Sequence, residues 1–151
     1  MIALGRVVFD TSTLVSAALR STSVPGLALL RAIEEGQLCA CEIGLEELQS
    51  VLQRPKFNRY LPNQEKLEFL AMLRRECEVF PVEANHWAQV DPPSRDPKDN
   101  IFLALAVAAS VETIVSSDED LLVLHPWRGV CIVKPAVFLA SPPIMFRNAA
   151  L

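Results

Sequence analysis

Arg6–Ala17 reads RVVFDTSTLVSA, and this stretch decides the fold. Val7-Val8-Phe9 is short, β-branched and aromatic, which predicts a buried strand. The run stops at Asp10. Three small hydroxyl residues follow, Thr11, Ser12 and Thr13, and then an apolar, helix-compatible segment. A carboxylate at the carboxyl end of such a strand sits where open α/β sheets place their ligands. The expectation is that later acidic residues converge on Asp10.

Outward from this turn, strand and helix signals alternate. Pro25–Glu35 predicts a helix with proline at its start and Gly36 at its end. Leu38–Cys41 predicts a short strand. Gly44–Gln53 predicts an amphipathic helix stopped by Pro55, and Asn63–Glu76 predicts another. Val79–Val82 reads as a short strand or extended run, and the proline-rich Asp91–Pro97 reads as loop. Pro97–Ser110 predicts a helix that is apolar nearly all round, hence buried. Thr113–Val115 predicts a strand, Asp118–Val123 a short helix, Val130–Val133 the last strand and Pro135–Leu139 a last helical turn or two. Such alternation argues for an α/β fold with a mostly parallel sheet.

The 151 residues suit a single domain, expected over residues 1–140, with an apolar, proline-containing tail over 141–151. A hydrophobic content of 51% supplies its core. No apolar run approaches the roughly 18 residues of a membrane helix. The N-terminus lacks the basic lead, apolar stretch and cleavage site of a signal peptide. Cys39 and Cys41 are one residue apart, the wrong spacing for a zinc or redox pair, while Cys77 and Cys131 read as small core residues. A reduced, cytoplasmic protein without membrane attachment is the simplest expectation. The net charge of −4 argues against a general nucleic-acid coat. It leaves room for a metal site, because clustered carboxylates repel one another unless a cation neutralises them.

The acids sort by position. Glu46 shares the polar side of its helix with Ser50 and Gln53. Glu47 falls between Ile43 and Val51, at the margin of the apolar arc formed by Leu45, Leu48, Val51 and Leu52. Asp96 precedes Pro97 and is a good N-cap. Asp99 stands at the third helical position, as in a capping box. It also opens an otherwise apolar helix, whose positive end favours the charged form. Ser117 and Asp120 make a second capping-box pattern, and Asp118 follows a strand as Asp10 does. Caps account for single acids better than for the whole set. Acids at strand ends and helix starts suit metal-assisted phosphodiester cleavage, because Mg²⁺ and Mn²⁺ take oxygen ligands. His86 and His125 sit beside loop signals and read as surface or packing residues.

Taken in order, four stretches carry a family resemblance: Asp10-Thr11-Ser12; Glu47–Leu52 before Arg54-Pro55-Lys56-Phe57; Arg95–Asp99 with Phe102–Ala106; and Ser116–Leu122. Together they resemble the PIN-domain family, nearest to the VapC-like toxins of prokaryotic toxin–antitoxin systems. The resemblance implies a three-layer α/β/α fold with a central, mostly parallel sheet of four to five strands. It implies a Mg²⁺- or Mn²⁺-dependent ribonuclease that cuts single-stranded RNA. Asp10, Glu47, Asp99 and Asp118 would be the catalytic, metal-binding acids, with Asp96 and Asp120 as secondary acids. Ser12, which often is asparagine in the family, and Ser116 would position substrate. The family further implies a homodimer and a cognate antitoxin. Arg54 and Arg95, with Lys56, Arg59 and Lys98, stand near these acids as candidates to hold phosphates.

Three rivals remain. A haloacid-dehalogenase-type phosphatase needs an acid two residues after Asp10, where Ser12 stands. A signalling receiver domain would match Lys134-Pro135 but wants paired acids after its first strand. A PIN fold that binds RNA or a partner without cutting keeps the same motifs.

Overall fold

The computed structural model describes residues 4–141, so the expected 141–151 tail lies outside it except for Ser141. Five strands form the sheet: β1 (Arg6–Phe9), β2 (Gln37–Ala40), β3 (Glu78–Val79), β4 (Thr113–Val115) and β5 (Cys131–Val133). Their order is β3-β2-β1-β4-β5, and every pairing is parallel. The mostly parallel sheet expected from the sequence is therefore wholly parallel. Among the described residues seven α-helices connect the strands and an eighth follows the last: α1 (Thr11–Leu19), α2 (Val24–Glu35), α3 (Glu42–Leu52), α4 (Asn63–Glu76), α5 (Ala84–Trp87), α6 (Asn100–Ala109), α7 (Glu119–Leu122) and then α8 (Pro135–Ala140). Among the described residues no single helix is long and apolar enough to cross a membrane.

The two-residue period of β1 separates two cores. Val7 and Phe9 join Leu38 of β2 and Val115 of β4 on one face, packed by residues of α1, α2, α3, α4 and α8. Val8, Cys39, Ile114 and Ile132 face the other way, onto α6 and α7. These are the three layers. Helix α6 is buried at Ile101–Ala106 and again at Ala109, as an all-apolar helix must be.

Sheet order positions the site. The connections run outward from β1 through β2 to β3 and then cross back to β4, so the topological switch lies between β1 and β4. Ligands of open α/β sheets bind at the carboxyl ends of the strands at such a switch. Receiver domains of the CheY type use the order 2-1-3-4-5, so this sheet sets that rival aside.

Several local expectations change. The helix expected over Pro97–Ser110 begins as a 3-10 turn, Pro97–Asp99, before α6. Asp118, not Ser117, caps α7, accepting from Asp120 N at 2.9 Å. One helix, α5, carries no standard start signal. Its capping box pairs Glu83 with His86, whose Nδ1 accepts from Glu83 N at 2.9 Å. His125 likewise uses Nδ1 to accept from Ile132 N. Both histidines hold turns.

Trp127 closes the α6 side of the core, 1% exposed, with Nε1 donating to Pro92 O at 2.8 Å. Trp127→Ala should cost about 3–5 kcal/mol, since it opens a large cavity and leaves that carbonyl without its donor. Urea denaturation measures the loss.

Candidate active site

Strand β1 ends at Asp10, whose backbone N–H donates to Val115 O of β4 at 3.2 Å. The side chain then does what an N-cap does, with Oδ1 accepting from Thr13 N at 3.0 Å. Its other oxygen accepts from the Ser116 hydroxyl, which lies just past the end of β4. Ser116 Oγ in turn accepts from Asp118 N at 2.9 Å. A continuous chain of hydrogen bonds thus spans the switch from Asp10 through Ser116 to Asp118. Ser12 is exposed, with its hydroxyl 3.5 Å from Asp10 Oδ1.

The acids open into one cleft of about 210 Å³. Asp10 and Asp118 border it from the sheet edge, and Glu47 and Val51 from α3. Asp96 and Asp99 border it from the turn before α6, and Phe102 lies one helical step beyond. Ser12, Arg54 and Lys98 complete its rim. Residues from distant parts of the chain therefore meet in one place. Glu47 is half-buried at the edge of its helix, as the wheel predicts, although its neighbour Ile43 is exposed.

Arg95 and Asp120 are placed differently. The Arg95 guanidinium pairs with Asp120 Oδ1 at 2.8 Å and lies outside the cleft lining. Asp120 stands behind Asp99: carboxylate oxygens of Asp96, Asp99 and Asp120 all lie within 4.8 Å of one another. In that trio Asp96 Oδ1 already accepts from Lys98 N at 3.0 Å, and Asp120 is held by Arg95.

Asp99 is the exception among these acids. It occupies the N-cap position of α6, yet its side chain makes no cap hydrogen bond. It is 8% exposed, and Oδ2 has no hydrogen-bond partner among the described residues. Burial, the facing carboxyl of Asp118, and the charges of Asp96 and Asp10 raise its pKa from 3.8 to about 7. The helix end alone would favour the charged form; burial and crowding outweigh it. Burial also pushes Asp10 upward, against the hydrogen bonds from Ser116 and Thr13, and the charge of Asp118 adds to the rise.

Oxygen donors of this density fit a hard divalent cation. The orphaned Asp99 oxygen is the specific observation: a buried carboxylate oxygen without a donor calls for a proton or a cation. Asp10, with two lone pairs on each oxygen, can keep its cap and still face an ion.

Sequence reasoning passes over Thr11 and Phe102 as site residues. Thr11 is buried, lines the cleft and leaves Oγ1 unpartnered among the described residues. Its only signal is adjacency to Asp10. Phe102 follows Asp99 at i+3, which puts both on one helical face.

Comparison with known proteins bears on the fold and the family. No curated protein matches the chain significantly. Among solved structures it is similar to PAE2754 from Pyrobaculum aerophilum. The TM-score is 0.59 at 14% identity, covering 97% of this chain and 91% of that one. The PIN-domain family profile matches residues 6–120, from the first strand through the last of the clustered acids. PIN domains are in general nucleases and usually depend on metal ions. With the profile covering most of its length, this chain belongs to the PIN-domain family.

Proposed function

We propose that the chain is a Mg²⁺- or Mn²⁺-dependent ribonuclease that cuts single-stranded RNA, acting as the toxin of a toxin–antitoxin pair. One observation carries the reading: Asp10, Glu47, Asp99 and Asp118 border a single cleft at the sheet switch. In this reading those four carboxylates hold the cation, while Asp96, beside Asp99 in the lining, and Asp120, outside it, adjust their charge. The bound ion would supply an activated water and charge stabilisation for the departing oxygen. The remaining work belongs to the chain. Ser116 and Thr13 fix the orientation of Asp10. Arg54 and Lys98 stand at the rim, where phosphate oxygens enter, and offset the acidic floor. Ser12 offers an exposed hydroxyl beside Asp10. Arg95 orients Asp120, and touches substrate only by leaving that pair.

Labelled single-stranded RNA incubated with Mn²⁺ is expected to be cut, and a chelator to stop the cutting. RNA that is bound but left whole in both Mg²⁺ and Mn²⁺ would replace the nuclease with a binding module. The toxin role has its own test. Expression in the cytoplasm should arrest growth, and the product of an adjacent reading frame should relieve the arrest. Unimpeded growth removes that role and leaves the nuclease standing. The expected homodimer is read from sedimentation.

A further inference from the structure

An acidic protein that handles RNA needs a place where the strand is held away from the acids. Between Glu47 and Glu65 the chain carries no acidic residue and three cations, Arg54, Lys56 and Arg59. All three are exposed, and among the described residues none enters an ion pair. They belong to one tight turn that leaves α3. It opens as the 3-10 turn Pro55–Phe57 and closes with Tyr60 N and Leu61 N both donating to Phe57 O at 3.0 Å. Behind it lies a buried lysine: Lys66, 1% exposed, donates from Nζ to Asn58 Oδ1 at 2.7 Å. The turn is therefore pinned from inside while its charges point outward.

Aromatic rings interleave with those charges. Lys56 Nζ lies 5.1 Å from the Phe57 ring centre, and the Arg59 guanidinium lies 5.3 Å from that of Tyr60. Tyr60 is 63% exposed, unusual for the one tyrosine of the chain. Leu19, Lys56, Phe57, Arg59 and Tyr60 enclose a second open concavity of about 450 Å³. Arg54, two residues before Lys56, lines the acidic cleft, so the turn runs from the cleft rim to this concavity.

We propose that residues 54–60 form a platform for the single strand as it leaves the cleft. Tyr60 stacks on a base, and Lys56 and Arg59 hold the flanking phosphates. The proposal rests on the nuclease reading for its direction along the strand. The chemistry is that of single-strand binders, which combine a cationic track with exposed rings and tolerate many sequences. An exposed tyrosine already backed by a guanidinium presents a rigid stacking surface with little side-chain entropy to lose.

The test measures binding of an oligouridylate of about ten nucleotides by fluorescence anisotropy, in chelator, so that no cutting occurs. Tyr60→Ala should weaken binding at least about five-fold, and Tyr60→Phe, which keeps the ring, should stay within about two-fold of wild type. Lys56→Gln with Arg59→Gln should flatten the salt dependence by about 0.7 for each phosphate no longer neutralised. An oligothymidylate arm shows whether the platform distinguishes RNA from DNA; either answer keeps a single-strand platform. Tyr60→Ala binding like wild type, with unchanged circular dichroism, overturns the proposal. So does a turn that holds an acidic peptide and no oligonucleotide. The two readings fail separately. Tyr60-dependent binding without Mn²⁺-dependent cutting defeats the nuclease alone. Cutting that is indifferent to Tyr60 defeats the platform alone.

Discussion

Asp99→Asn is expected to stabilise the metal-free protein at pH 8 while cutting metal-dependent cleavage at least about 100-fold. That is beyond the roughly 10–100-fold cost of removing groups that only orient a ligand. The stability gain follows from the raised pKa. In the unfolded chain Asp99 loses its proton near 3.8, and in the folded one near 7. The folded state thus holds the extra proton between these values. Its contribution is fully present below about 4 and is lost as pH rises through about 7. Asparagine does not titrate, so the variant keeps its stability across this range. At about 1.4 kcal/mol per unit the shift sets a ceiling near 4 kcal/mol, and local relaxation reduces the expected gain to about 1–2. Thermal melts in chelator at pH 4 and pH 8 check this: the two proteins should match in acid and separate at alkaline pH. Adding Mn²⁺ should then stabilise the wild type, by about 2.7 kcal/mol at a hundred times its dissociation constant, and leave the variant unmoved. A variant that unfolds in chelator would mark Asp99 as a structural cap.

Asp10→Ala should lose cleavage as completely and, unlike Asp99→Asn, lose stability as well. Asp10 caps α1 through Thr13 N and accepts from Ser116 Oγ. The cap is worth about 0.5–2 kcal/mol. The buried Ser116 hydroxyl, stripped of its acceptor, costs a further 1–3 or so. Removal of a desolvated carboxylate returns part of this, leaving a net loss of about 1–3 kcal/mol in urea denaturation. Asp10→Asn, which retains an acceptor for the cap, should lose activity with a smaller stability cost. The pair of positions thus separates two kinds of acid in one cleft. Asp10 is held by the fold; Asp99 is tolerated by it.

Much of this is legible in the chain. Thr113–Val115 and Asn63–Glu76 coincide with their elements, because short β-branched runs and long amphipathic periods are local signals. Glu47 is separable from Glu46 by the helical wheel alone. What escapes depends on interactions between distant residues. No local pattern announces that Arg95 reaches Asp120, or that Ser116 links the ends of β1 and β4. The sequence pattern puts the α7 cap one residue early, because Ser117 and Asp118 are both good N-caps and only backbone geometry decides. It also gives the titration of Asp99 the wrong sign. A helix end is visible in sequence, whereas burial beside another acid is not.

Helix α6 has no solvent face to speak of along Ile101–Ala106, and this bears on how the cleft endures change. A rod gripped from all sides neither slides nor rolls, so the carboxylate at its tip inherits the fixity of a fully buried helix. Outer helices can drift in sequence while that oxygen stays where it is. The converse also holds. A methylene removed from the α6 core, far from any substrate, shifts the tip, and a change in packing is then felt as a change in chemistry.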